Sequence, residues 1–153
     1  MGREGRIMGN FFMRLFTGIH ARLYKATGGR FFGGGSVIVL THRGAKSGRV
    51  RDTPVMSFRD GDNYMVVASA GGSDKHPGWY HNLIANPETV INDHGQEITV
   101  KAIDAGARRD ELFEKVVAED PRFGEYTKKT DRVIPVVLLV PRSPAYPDAS
   151  SAT

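Results

Sequence analysis

Gly44-Ala45-Lys46-Ser47-Gly48-Arg49-Val50-Arg51 gathers three cations, one hydroxyl and two glycines into eight residues. A glycine-rich connection exposes backbone N–H groups, Arg adds forked donors and Lys a point charge. The pattern therefore suits a bound phosphate or carboxylate. A solvated basic hairpin tip has the same composition, and spacing alone does not separate the two. The order Gly-x-x-x-x-Gly-Lys-Ser is absent, so nothing points to a triphosphate-binding loop.

A second chemical stretch runs Ala68-Ser69-Ala70-Gly71-Gly72-Ser73-Asp74-Lys75-His76-Pro77-Gly78-Trp79-Tyr80-His81-Asn82-Leu83. Small residues at a strand end let a flat ligand approach the backbone closely. Trp79 and Tyr80 open a short helix and suit the wall of a ring pocket, although a tryptophan taken alone is more often a core anchor than a cofactor contact. The five histidines, at 20, 42, 76, 81 and 94, show no metal-binding spacing and are read as surface or structural. No Gly-x-Ser-x-Gly elbow occurs, so a serine hydrolase is unsupported. The acids fall in turns or on a polar helix face, which argues against paired-carboxylate catalysis. Asp131-Arg132 is read as a structural ion pair.

The elements that must position these groups follow from periodicity and turn chemistry. Residues 36–41 are β-branched and apolar and read as a buried strand. Strands at 53–59 and 64–69 follow, joined by an Asp60-Gly61-Asp62-Asn63 hairpin turn. A helix over 77–85 stops at Asn86-Pro87, because Pro87 disfavours helix at the residue before it. Two further strands, 88–92 and 97–103, precede an amphipathic helix over 108–119 and a helical stretch over 121–127. A last strand spans 134–140. Closely spaced strands with tight turns predict a mainly antiparallel α+β fold, a β-barrel with added helices, rather than a parallel βαβ sheet.

The 153 residues suit one domain. The expected layout is an N-terminal amphipathic helix and Gly-rich connection over 1–35, a barrel over 36–141 and a disordered tail over 142–153. There is no cysteine, which excludes disulfides, thiolate nucleophiles and Cys-ligated metals and suits a reducing compartment. No metal site is expected. The net charge of +4 is unevenly placed. Arg3, Arg6, Arg14, Arg22, Lys25 and Arg30 stand against Glu4 alone, which leaves the rest of the chain near neutral. A nucleic-acid binder would spread its basic residues over a docking face. Residues 7–25 carry Met8, Phe11, Phe12, Leu15, Phe16, Ile19 and Leu23 on one side and basic groups on the other. That face would lie on an anionic membrane or pack on the barrel or a second copy in a homodimer. No apolar run is long enough for a signal core or a membrane span. A cytoplasmic protein, peripheral on the inner membrane face, is expected.

Taken in order, these stretches resemble the deazaflavin-dependent nitroreductase family, also called deazaflavin-dependent quinone reductases. The resemblance runs from about residue 21 to 141. It is carried by Leu40-Thr41, Gly44-Ala45-Lys46-Ser47-Gly48, Thr53-Pro54, Arg59-Asp60-Gly61 and Val67-Ala68-Ser69-Ala70-Gly71-Gly72. It continues through His76-Pro77-Gly78-Trp79-Tyr80-His81-Asn82-Leu83, Ala85-Asn86-Pro87 and Thr130-Asp131-Arg132-Val133-Ile134-Pro135.

The resemblance implies a split β-barrel, related to FMN-binding barrels, and the deazaflavin coenzyme F-420, whose side chain carries a phosphate and an oligoglutamate tail. Lys46, Ser47, Gly48 and Arg51 would then hold the phosphate and nearby tail, with Arg49 assisting. Thr53, Pro54 and Met56 would line the ring pocket, Val67, Ala68, Ser69, Ala70 and Gly71 would supply its backbone edge, and Trp79, Tyr80 and Asn82 would close the far side. The cofactor performs hydride transfer to a quinone, nitro compound or activated alkene, while the protein orients it and excludes water. Ser69 and Tyr126 would contact the acceptor, which a membrane quinone could supply. Two alternatives are an FMN-dependent oxidoreductase of the same fold and a non-catalytic deazaflavin-binding protein.

Overall fold

Val, Ile and Leu recur along the strands, and six such strands bury their inner faces by closing into a ring. The computed structural model describes residues 35–142. The expected N-terminal helix and the tail beyond residue 142 lie outside the described residues. The strands are β1 (Ser36–Arg43), β2 (Val50–Asp60), β3 (Asn63–Val67), β4 (Glu88–Asp93), β5 (Gln96–Asp104) and β6 (Val136–Pro141). They pair antiparallel in the order β1-β2-β3-β6-β5-β4, and β4 returns to β1 through Val39↔Asn92 and Leu40↔Ile91. The expected antiparallel barrel with added helices is therefore what forms.

Register follows from the turns. Gly61-Asp62 makes a two-residue hairpin loop, Gly61 at φ 60°, so Asp60 pairs with Asn63 and Phe58 with Met65. Pleating then sends neighbours to opposite faces. Ile38, Leu40, Tyr64, Val66, Ile91, Val100, Ala102, Val137 and Leu139 point inward and fill the barrel. Phe58, Met65, Val67, Val136 and Leu138 point outward. Leaving that outer face wet would forfeit its burial, so α2 (Arg109–Glu119) and α3 (Arg122–Tyr126) cover it with Leu112, Phe113, Val116 and Phe123. Helix α1 (Gly78–Ala85) instead packs on β1 and β5 and drops Leu83 into the inner core.

Several boundaries differ from the sequence expectation, three of them for clear reasons. β2 starts at Val50 because Val50 and Arg51 pair with Arg43 and His42, which the basic composition hid. β3 stops at Val67, and 70–72 form a 3-10 turn, because the chain there turns left-handed. β6 starts at Val136; the preceding Pro135 has no N–H and offers only its carbonyl, to Ala68.

Phe58 joins the outer face to α3 through an edge-on contact with Phe123, ring centroids 5.4 Å apart. Phe58→Ala is expected to cost about 3–5 kcal/mol in urea unfolding; a loss under 1 kcal/mol (about a third of that range) would show that this joint does not hold the helices.

Candidate functional site

The connection from β1 to β2 is six residues long and closes on itself. Gly44 N–H donates to Arg49 O at 2.7 Å, Gly48 N–H to Gly44 O at 2.9 Å, and Arg49 N–H to Ser47 Oγ at 3.2 Å. Two glycines are required for different reasons. A Cβ on Gly44 would sit 2.3 Å from Ser47 Oγ, and Gly48 has φ +69°. The backbone N–H groups of Lys46 and Ser47 take no partner among the described residues.

The loop is anchored through neutral groups. Ala45 N–H donates to Asn82 Oδ1 at 2.9 Å, which orients the Asn82 amide. Its Nδ2 therefore faces His42 and donates to Nδ1 at 2.9 Å. His42 must then carry its proton on Nε2, which donates to Thr53 Oγ1 at 2.8 Å. The Thr53 hydroxyl keeps its own proton. His42 is buried, and burial first, then the Arg51 charge, lowers its pKa from 6.5. The ring is thus held neutral.

Above this relay opens a cleft of about 760 Å³, walled by His42, Lys46, Arg51, Thr53, Trp79 and Asn82, with Ser47, Gly78 and His81 at the wall beside them. Lys46, Arg49 and Arg51 are exposed and meet no carboxylate among the described residues. Elsewhere Arg108 meets Asp60, Arg109 Asp110, Arg122 Asp120 and Arg142 Glu88, while Arg43, Arg59 and Arg132 donate to backbone carbonyls. Unpaired cations beside two free N–H groups fit a polyanion.

The model of the family described as F420H(2)-dependent quinone reductase matches residues 12–141. The chain belongs to that family. A curated F420H(2)-dependent quinone reductase of Mycobacterium tuberculosis is 36% identical over 132 residues, covering 81% of this chain and 89% of the relative. A second curated relative from that organism is 37% identical over 106 residues, covering 69% and 89%. Among solved structures, one described as an F420-H2 dependent reductase is 37% identical with a TM-score of 0.61, covering 67% of this chain and 92% of the other. Another, described as a domain-swapped dimer, has the same identity and score, covering 67% and 78%.

In this family member the residues singled out from sequence fall into two groups. Lys46, Ser47, Arg51, Thr53, Trp79 and Asn82 meet at the cleft. Gly48 and Arg49 belong to the same loop but do not form its wall. Pro54 and Met56 point to the outer face of β2, opposite Thr53, since strand neighbours alternate. Met56 packs there in one cluster with Val67 and Tyr126. Ala68 and Ser69 are buried just past β3, while Ala70 is exposed at φ 45° and Gly71 at φ 64°. The Tyr126–Lys129 segment lies against this turn: a Cβ on Gly72 would come within 3.0 Å of Tyr126 O. Tyr80 turns from the cleft; its hydroxyl donates to Asp104 Oδ2 at 2.8 Å, and burial, first, and that carboxylate push its pKa up to about 12.

Sequence reading passed over two groups. His42 was grouped with structural histidines, although its place after inward-facing Ile38 and Leu40 put it at the barrel mouth. Arg132 does not spend its guanidinium on Asp131 as expected; it reaches the carbonyls of Ala68, Ser69 and Ser73. That partnership spans some sixty residues of sequence and has no local signal.

A lowered folded-state pKa means that neutral His42 adds stability above 6.5, which is lost as pH falls through the folded value. His42→Gln keeps a donor for Thr53 and cannot titrate. Between about pH 6.5 and 5 its unfolding free energy is expected to fall less steeply than the wild type's. His76, also lowered, adds to the slope that remains and Asp52, raised from 3.8 by burial, opposes it, whereas Asp93 and Asp120, lowered from 3.8, act below this window. Equal slopes in urea titrations would remove His42 from the pH response.

Proposed function

We propose that this oxidoreductase binds the deazaflavin coenzyme F-420 by its phosphate and acidic tail at the 44–51 loop and reduces a quinone. The observation that carries the reading is the set Lys46, Arg49 and Arg51, unpaired among the described residues, around a cleft with two free backbone N–H groups. Family membership and the names of the relatives point to the same coenzyme.

The residues fit that group. Arg51 and Lys46 would hold the phosphate, Ser47 and its N–H would add neutral donors, and Gly48 gives the loop the left-handed residue it turns on. Arg49, at the outer rim, faces the carboxylates of the tail. The Thr53 hydroxyl, fixed by His42, donates into the cleft. Pro54 and Met56 on the outer side of β2, with the edge formed by Val67, Ala68, Ser69, Ala70 and Gly71, would hold the ring. Trp79 bounds the cleft between tail and ring, and Asn82 supports the loop beneath it.

When bound in its reduced form, the coenzyme supplies a hydride to the acceptor. The chain's own part is to orient both partners and keep water out. The Ser69 and Tyr126 hydroxyls donate to the acceptor oxygen on which negative charge develops. Nitro compounds and activated alkenes gain charge on oxygen in the same way and suit the same donors. The pattern of residues 7–25 supports contact with an anionic membrane, where quinones reside; no described helix is long and apolar enough to cross one.

Lys46→Ala with Arg51→Ala is expected to raise the coenzyme Kd at least about a hundredfold, since a hydrogen bond to a charged group contributes about 1.5–3 kcal/mol. Calorimetric titration reads this directly; wild-type affinity in the double variant, or a preference for FMN in the wild type, rejects the assignment. Turnover of menadione separates a reductase from a non-catalytic carrier. Full-length protein should float with anionic liposomes while a truncation before Gly28 stays behind; equal flotation removes the membrane contact.

A further inference from the structure

Arg132, between α3 and β6, is the hub of a loop far from it in sequence. Its Nε donates to Ser73 O at 2.7 Å. One terminal nitrogen donates to Ala68 O at 3.1 Å and Ser69 O at 2.9 Å, and the other to His76 Nδ1 at 2.8 Å. A guanidinium only donates, so His76 meets it neutral.

The three carbonyls bracket a strained turn. Ala70, Gly71 and Gly72 have φ of 45°, 64° and 86°, three successive residues in the left-handed region, one of them with a side chain. Such a run persists only where its surroundings hold it. Inside the turn Gly72 N–H donates to Ser69 O and Ser73 N–H to Ala70 O. The N–H groups of Ser69, Ala70 and Gly71 are left without partners among the described residues and form a donor edge. The fourth contact, to His76, reaches the residue before Pro77, where α1 begins.

Resting on the coenzyme site proposed above, we infer that Arg132 is a positioning residue: its one guanidinium holds the 69–72 turn as the donor edge for the coenzyme ring and ties that edge to the start of α1. Helix α1 carries Trp79 and Asn82, so the same side chain sets the distance between the ring edge and the basic loop that Asn82 anchors. Only a planar fork serves this purpose. A lysine ammonium at the same place carries the charge but cannot reach carbonyls on both sides of the turn with fixed geometry.

Two variants and two ligands test the inference. Arg132→Lys keeps the charge and loses the fork; Arg132→Gln loses both. In Arg132→Lys, kcat with menadione is expected to fall at least about tenfold through misplacement of the ring. Its Kd for the coenzyme should rise, while inorganic phosphate, which needs only the basic loop, should bind within about twofold of wild type. In Arg132→Gln, the His76 ring signals in NMR should titrate at higher pH, since Arg132 helps to lower that pKa together with burial and His81, against Asp104. A folded Arg132→Lys with wild-type kcat and coenzyme affinity overturns the inference. So does equal loss of phosphate and coenzyme, which marks general damage. Where neither variant folds, His76→Ala removes one acceptor of four; it should lower kcat by a smaller factor with phosphate binding kept, and an unchanged kcat overturns the tie to α1. A wild-type protein that holds phosphate but not the coenzyme refutes the coenzyme site itself, a result distinct from each of these.

Discussion

Three like charges within six residues repel one another, and a loop proposed to keep them open to an anion cannot quench them with carboxylates. Nearby acids would stabilise the empty loop and compete with the ligand. The chain meets this constraint with hydrogen bonds that use no carboxylate, including one from Arg43 Nη1 to Gly48 O at 3.3 Å. Gly44 and Gly48 let the 44–49 loop close on its own carbonyls, and Asn82 takes its Ala45 N–H from outside. His42, held neutral in the barrel mouth, completes the anchor. The shape of the loop is thus fixed without any loss of positive potential.

The pleat of β2 divides the work between its two faces. Arg51 and Thr53 reach the cleft at the barrel mouth, whereas Pro54 and Met56 look outward to the layer under α3. One strand can therefore serve a charged ligand tail on one face and an apolar ring on the other. Pro54 stands opposite Val39 of β1, and since β3 pairs only with the Ser57–Asp60 end of β2, its other side has no strand neighbour. The outer core built on Phe58, Phe123 and Ile134 brings the Tyr126 segment against the Ser69–Gly72 turn. The two groups are joined through α1, held at one end by Asn82 on the loop and at the other by His76 on Arg132.

Charge is treated differently on the two sides of the molecule. Asp60 receives both Arg108 and Lys115, and Asp120 is almost fully buried beneath Arg122. Those pairs lie around the helices. The basic loop, at the opposite end of β2 from Asp60, has none among the described residues, and that unevenness gives an otherwise near-neutral barrel a positive patch.

The sequence by itself determined the strands, their antiparallel character, the hairpin at Gly61-Asp62 and the basic loop, because each rests on local rules: apolar patterning, turn chemistry and the glycines of a tight turn. It also carried the ordered motifs by which the family is recognised. Tertiary structure alone decided what depends on contacts between distant segments. The closure of β4 on β1, the inward placement of His42 between Asn82 and Thr53, the separation of Pro54 and Met56 from the cleft, and the reach of Arg132 to carbonyls some sixty residues away are of this kind. A hydrogen bond between such residues leaves no periodicity in the chain. It exists only once the barrel has fixed which side of each strand faces in.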